Sequence, residues 1–282
     1  MTGFAGWNLF GNLAAITFTQ GLNLLLNMFF GPVVNAARGI AVQAQTAIGQ
    51  FSNNFQTALN PQITKSYATG DREYMHSLIF RSAKFSFFLL LFLSLPILIE
   101  TKAILTLWLK IVPDHTVVFL RIMLCTTWVY AISNPLITAA SATGKIKLYQ
   151  SVVGGLLLLI LPISYLCLRL GLPAYSVFIV HLGMEITAQF ARLWMLRRMI
   201  RLSLREYFTK VIWRISKVTI IALAAPLAVA YWLPGEEIWN LLTICLICAI
   251  STSMSVYWFG LTSGEKIYIS SRVSSIVSKF RI

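Results

Sequence analysis

The chain has 282 residues, of which 57% are hydrophobic and only 11% charged, and its 23 Lys and Arg against nine Asp and Glu give a formal net charge of +14. A charged fraction under half of the roughly 25% found in soluble domains, with a mean hydropathy of +0.75, excludes a soluble globular protein. Nor does the basic excess point to nucleic acid, because most Lys and Arg sit in short segments between apolar runs rather than on one soluble face.

Those runs predict an all-α, polytopic membrane protein with about eight transmembrane helices, at 5–30, 33–59, 85–105, 117–139, 151–170, 174–195, 211–233 and 238–261. They are continuous and about twenty residues long, whereas a β-barrel would alternate over about ten. The first is two-sided. Asn8, Asn12, Thr19, Asn23 and Asn27 fall within about 100° of arc at helical spacing, a stripe that either bonds neighbouring helices or lines a hydrated cavity.

Gly31-Pro32 predicts a tight outer hairpin into the second span. That span carries Asn35, Arg38, Gln43, Gln45, Gln50, Asn53, Asn54, Gln56 and Asn60, a load no lipid-facing helix tolerates, while Ile48, Phe51, Phe55 and Leu59 occupy the other side. Two consecutive polar helices favour the cavity. Arg38, about two turns below the hairpin, has no acidic neighbour in its own helix, so it needs a counter-anion or water. Phosphate matches its planar donors, and snorkelling or carbonyl capping is the structural alternative.

Beyond it, Asn60-Pro61-Gln62 through Gly70-Asp71 predicts a polar cytoplasmic turn, and an amphipathic run at 74–84 leads back into the third span. Arg121, among apolar neighbours, is expected to snorkel to the outer interface, and Gly154-Gly155 marks a close-packing point. His181 and Glu185, one turn apart, can meet on one helix face as a proton-coupling pair or a buried structural pair. Residues 197–210 interleave Met199, Ile200, Leu202, Leu204, Tyr207 and Phe208 with bases and predict an interfacial helix on an anionic leaflet. Cys245 and Cys248 lack further zinc ligands nearby, so no metal or cofactor is implied. No nucleophile elbow or Gly-rich phosphate loop occurs, and the three His lie far apart, so an enzyme is not expected.

A cytoplasmic N-terminus places 18 of the 23 bases on the cytoplasmic side, from Lys65 and Arg72 through Lys84, Arg192 and Lys217 to Arg281. Only Lys102, Lys110 and Arg169 fall opposite. This positive-inside split puts both termini in the cytoplasm.

The stretches GWNLFGNLAA, FGPVVNAARGIAVQAQ, NFQTALNPQITKSYATGD and NPLITAASATGKIKLYQ resemble the C-terminal part of a polysaccharide flippase of the MOP superfamily, the kind associated with O-antigen or lipopolysaccharide biosynthesis. NPQITKSYATGD is the most specific of them, and the resemblance covers nearly the whole chain. It implies a second-lobe six-helix bundle at 1–196, a basic interfacial segment at 197–210, two additional C-terminal transmembrane helices at 211–261 and a basic cytoplasmic tail at 262–282. It further implies transport of an undecaprenyl-pyrophosphate-linked oligosaccharide across a bacterial inner membrane, by alternating access around a cavity lined by the first two spans. Arg38 would meet the pyrophosphate. Asn12, Asn23, Asn27, Asn35, Gln45 and Gln56 would bond sugar hydroxyls, directly or through water. The partners implied are the lipid-linked oligosaccharide, membrane lipids, polysaccharide polymerase or glycosyltransferases, and a first lobe from a longer protein or a second chain. Two other readings stay open: a cation-coupled multidrug exporter of the same superfamily, with Glu185 and His181 as its coupling site, and a non-transporting membrane partner of polysaccharide assembly proteins.

Overall fold

The structure is a computed structural model that describes residues 2–232 and 238–267. Most of the expected tail, with Arg272, Lys279 and Arg281, lies outside the described residues. The elements in order are α1 (Thr2–Ala68), α2 (Arg72–Ile99), α3 (Thr101–Leu109), α4 (Thr116–Ala142), α5 (Lys147–Arg169), α6 (Ser176–Met199), α7 (Leu204–Tyr207), α8 (Trp213–Trp232) and α9 (Ile238–Ser255), with no strand among the described residues. Six helical stretches are long and apolar enough to cross a membrane: most of α1, α2, α4, α5, Leu204–Trp232 and Ile238–Gly260. That is compatible with a multi-pass membrane protein.

The 67 residues of α1 would extend about 100 Å if straight, far beyond a hydrocarbon core of about 30 Å. It is not straight. Gly31 sits at φ 78° and ψ −177°, a conformation essentially confined to glycine, and Pro32 removes a helical donor while forcing its predecessor out of the helical region. Arg38 hydrogen-bonds Asn23, 15 residues earlier, a separation of about 22 Å along a continuous helix. The two arms, 2–30 and 32–68, therefore fold back on each other, and the expected hairpin is present.

The helix boundaries depart from expectation in three places. First, residues 60–62 do not turn: the helix continues to Ala68 with Ile63 fully buried. The chain reverses instead at Gly70 (φ 78°), and the Asp71 side chain caps α2 by accepting from Tyr74 N at 3.0 Å. Secondly, the run at 74–84 and the third span form the single helix α2, which ends at Ile99 before a break at Glu100. Arg121 does not simply snorkel. Its Nε donates to Thr101 Oγ1 at 2.9 Å and its Nη2 to Ile99 O at 3.2 Å, so it satisfies polar groups that the broken helix leaves open. Thirdly, residues 197–210 do not form one separate helix. α6 runs to Met199, α7 has four residues, and a π-helical turn at Phe208–Ile212 leads directly into α8. Ile200, Leu202 and Tyr207 are buried, with Tyr207 edge-on to Phe80, so these apolar residues face protein.

Two buried clusters hold the bundle. One joins α2, α6, α8 and α9 around Phe87, Leu91, Leu196, Val218 and Ile244. The other joins both arms of α1 to α4 and α6 through Leu22, Ala41, Phe119 and Phe178. The first arm packs on α5 at glycines: Gly21 faces Leu161, and a Cβ on Gly154 would come within 2.8 Å of the Phe10 ring. Gly155 has nothing within 4 Å, so only the first glycine of that pair is a packing point. Outside, Leu159, Phe190, Ile220 and Leu246 are exposed, as lipid-facing positions are.

Candidate functional site: a polar cavity inside the bundle

A cavity of about 450 Å³ opens between the two arms of α1 and helices α4, α5 and α6. The first arm contributes Asn12 and Thr19, seven residues apart and hence on one face, and the second contributes Gln45, Thr46 and Asn53. From α4 come Thr127 and Tyr130, from α5 Tyr149 and Gln150, and from α6 His181, Glu185 and Arg192. Gln45 is held by two bonds across the cavity edge, donating from Nε2 to Thr127 Oγ1 at 2.8 Å and to Met123 O at 3.2 Å. Asn12, Thr46 and Asn53 are exposed and free to meet a solute.

The floor of the cavity is charged. Arg192 Nη1 donates to Glu185 Oε1 at 2.9 Å, and the two residues are 3% and 4% exposed. Seven residues separate them, two helical turns, so α6 presents both on one face with Gln189 between. Arg192 also reaches Ser133 Oγ at 3.2 Å, and Ser133 donates to Gln189 Oε1 at 2.6 Å. Gln189 then donates to the Tyr207 hydroxyl at 3.3 Å, which donates to Ile132 O at 3.1 Å. A continuous polar chain thus runs from the cavity wall to the connection before α8. Each member needs a partner, because an unpaired polar or charged group is costly where water is scarce.

Of the residues singled out from the sequence, Asn12, Thr19, Gln45, Asn53, His181 and Glu185 come together on this cavity. His181 and Glu185 do not form a hydrogen-bonded pair: Glu185 is taken by Arg192, and the His181 ring packs on Phe18 with centroids 4.5 Å apart. A charge-assisted bond to a guanidinium outcompetes one to an imidazole. Arg38 is not on the cavity wall. It is 8% exposed and joins the arms of α1, donating to Asn23 Oδ1 and, at 3.4 Å, to the Thr19 carbonyl. Asn23 is engaged there too, while Asn27 is exposed outside the lining. Gln56 is fully buried, its Nε2 on Ala131 O at 2.6 Å, so it joins α1 to α4. Asn35 is half-buried, and its Oδ1 is buried without a partner.

Arg192 and Lys84, two of the 18 bases assigned to the cytoplasmic side, are buried ion-pair members. For Arg192 the signal was available: it falls inside the apolar run 174–195, at i+7 from Glu185. Lys84 pairs with Glu265 at 2.6 Å, and Thr262 N–H donates to the same carboxylate at 2.8 Å. Burial pushes the Glu265 carboxyl up, but these bonds together hold it below the usual carboxylate range. No three His, Cys, Asp or Glu side chains group as a metal site among the described residues. No family model matches the chain, and neither does any curated protein or solved structure.

Proposed function

We propose that the chain is a transport module of the polysaccharide-flippase type, moving an undecaprenyl-pyrophosphate-linked oligosaccharide across a bacterial inner membrane. The observation that carries this reading is the cavity. It combines exposed carboxamides and hydroxyls, which suit sugar hydroxyls, within a shell of apolar helices. In this reading each arm of α1 crosses the membrane, α6 crosses as well with its 24 residues, and eight crossings put both termini on the basic, cytoplasmic side. Arg38 fixes the hairpin and Arg192 is held by Glu185, so the lining offers the oligosaccharide hydrogen-bonding groups rather than an open cation. The opposite half of the cavity comes from a further lobe, in a longer protein or a second chain, and polysaccharide polymerase or glycosyltransferases are the expected neighbours.

The cation-coupled exporter is less well supported, because Glu185, its coupling carboxylate, already has an internal counter-charge in Arg192. The test is surface polysaccharide in cells producing the full-length protein. Thr46 is exposed on the cavity wall, so Thr46→Trp should obstruct the oligosaccharide and cut surface polysaccharide severalfold at unchanged protein level, whereas Thr46→Ser should not. Normal export with Thr46→Trp would overturn the proposal.

A further inference from the structure

A second, larger cavity of about 820 Å³ lies between α2 and α9 and shares no residue with the polar one. Phe85, Phe88, Leu89 and Phe92 of α2 form one wall, and Phe55 of α1 and Val256 close it. At one end it meets a charged cleft of about 450 Å³, and Arg81 and Glu265 line both. From Arg81 to Phe92 the distance along α2 is about 16 Å, close to the depth of one bilayer leaflet. The space is therefore an apolar slot of leaflet depth with a polar mouth.

The charges at that mouth are specific. Within the cleft Lys84 is paired with Glu265 and Lys210 with Glu206, which cancel in pairs. Arg81 and Glu73 remain, both exposed and neither in an ion pair or hydrogen bond among the described residues. The three acidic side chains of the cleft are matched in number by its three basic ones. One open cation and one open anion complement a zwitterionic headgroup better than a purely anionic one. A carboxylate further prefers an ammonium carrying N–H donors to a quaternary one, which has none.

We propose that this slot and cleft hold one glycerophospholipid with a primary-amine headgroup, its phosphate on Arg81, its ammonium on Glu73 and one acyl chain along Phe85, Phe88 and Phe92. The site is separate from the transport cavity and does not depend on the flippase reading. It ties the α8–α9 pair to α2 through lipid as well as through the Lys84–Glu265 bridge.

The experiment is native mass spectrometry of the purified full chain in detergent, with equal mole fractions of phosphatidylethanolamine, phosphatidylcholine and phosphatidylglycerol added. One phosphatidylethanolamine per chain should be retained severalfold over the other two. Arg81→Gln and Glu73→Gln, at exposed positions that leave folding intact, should each abolish that preference, and Ser253→Trp, which fills the slot, should remove the retained lipid. Phosphatidylglycerol retained as well as phosphatidylethanolamine would overturn the headgroup assignment. Unaltered retention in Ser253→Trp would overturn the placement of the chain, and unaltered preference in both charge variants would overturn the site.

Discussion

A guanidinium and a carboxylate buried inside the bundle persist because each neutralises the other, and the Glu185–Arg192 pair is fixed further by Ser133. Arg192→Met leaves Glu185 without its counter-charge and should lower stability by about 3–5 kcal/mol, while adding Glu185→Leu should recover most of that loss. Unfolding of the purified protein in detergent checks this, and a single variant as stable as the parent would contradict it. At this scale the sequence was only partly legible. Asn12, Gln45, His181 and Glu185 could be read from helical spacing, since polarity in an apolar run stands out. Tyr130, Tyr149 and Thr127 could not, because aromatic and hydroxyl residues belong equally on a packed face. Gln56 looked like its neighbours in composition, yet it is buried against Ala131. Only the position of α4 decides that.

The elements depend on a few backbone positions. Gly31 takes a conformation in which a Cβ is strained even though no neighbouring atom crowds it. Gly31→Ala should therefore cost about 1–3 kcal/mol, seen as a lower thermal midpoint, while Gly155→Ala, at an uncrowded helical glycine, should be neutral or slightly stabilising. Equal effects of the two would show that the hairpin does not need glycine. The Gly-Pro hairpin was readable because its cause is local. The helical stretch 60–68 was not, since Asn-Pro-Gln reads as a turn unless the burial of Ile63 and Ser66 is known. α6 is the opposite case: Glu185, Gln189 and Arg192 lower its hydropathy, and what makes them tolerable is their mutual bonding in the folded bundle.

For the whole molecule, the described helices expose many large apolar side chains while bonding a smaller set of polar groups inside an apolar core. Basic residues accompany exposed tryptophans, as with Arg198 over Trp194 at 4.4 Å and Lys217 over Trp213 at 4.8 Å, an arrangement suited to a headgroup interface. In the proposed function, water and a lipid-linked sugar enter the cavity between α1, α4, α5 and α6. The most direct measurement is thiol labelling of single-cysteine variants of the full-length protein in membrane vesicles, made in a background with Cys125, Cys167, Cys245 and Cys248 replaced. Thr46→Cys, on the cavity wall, should react with a membrane-impermeant maleimide and be protected by lipid-linked oligosaccharide, while Phe190→Cys, on the apolar exterior, should stay unlabelled. A Thr46→Cys variant that is as unreactive as Phe190→Cys, or that labels equally with and without the oligosaccharide, would contradict the account.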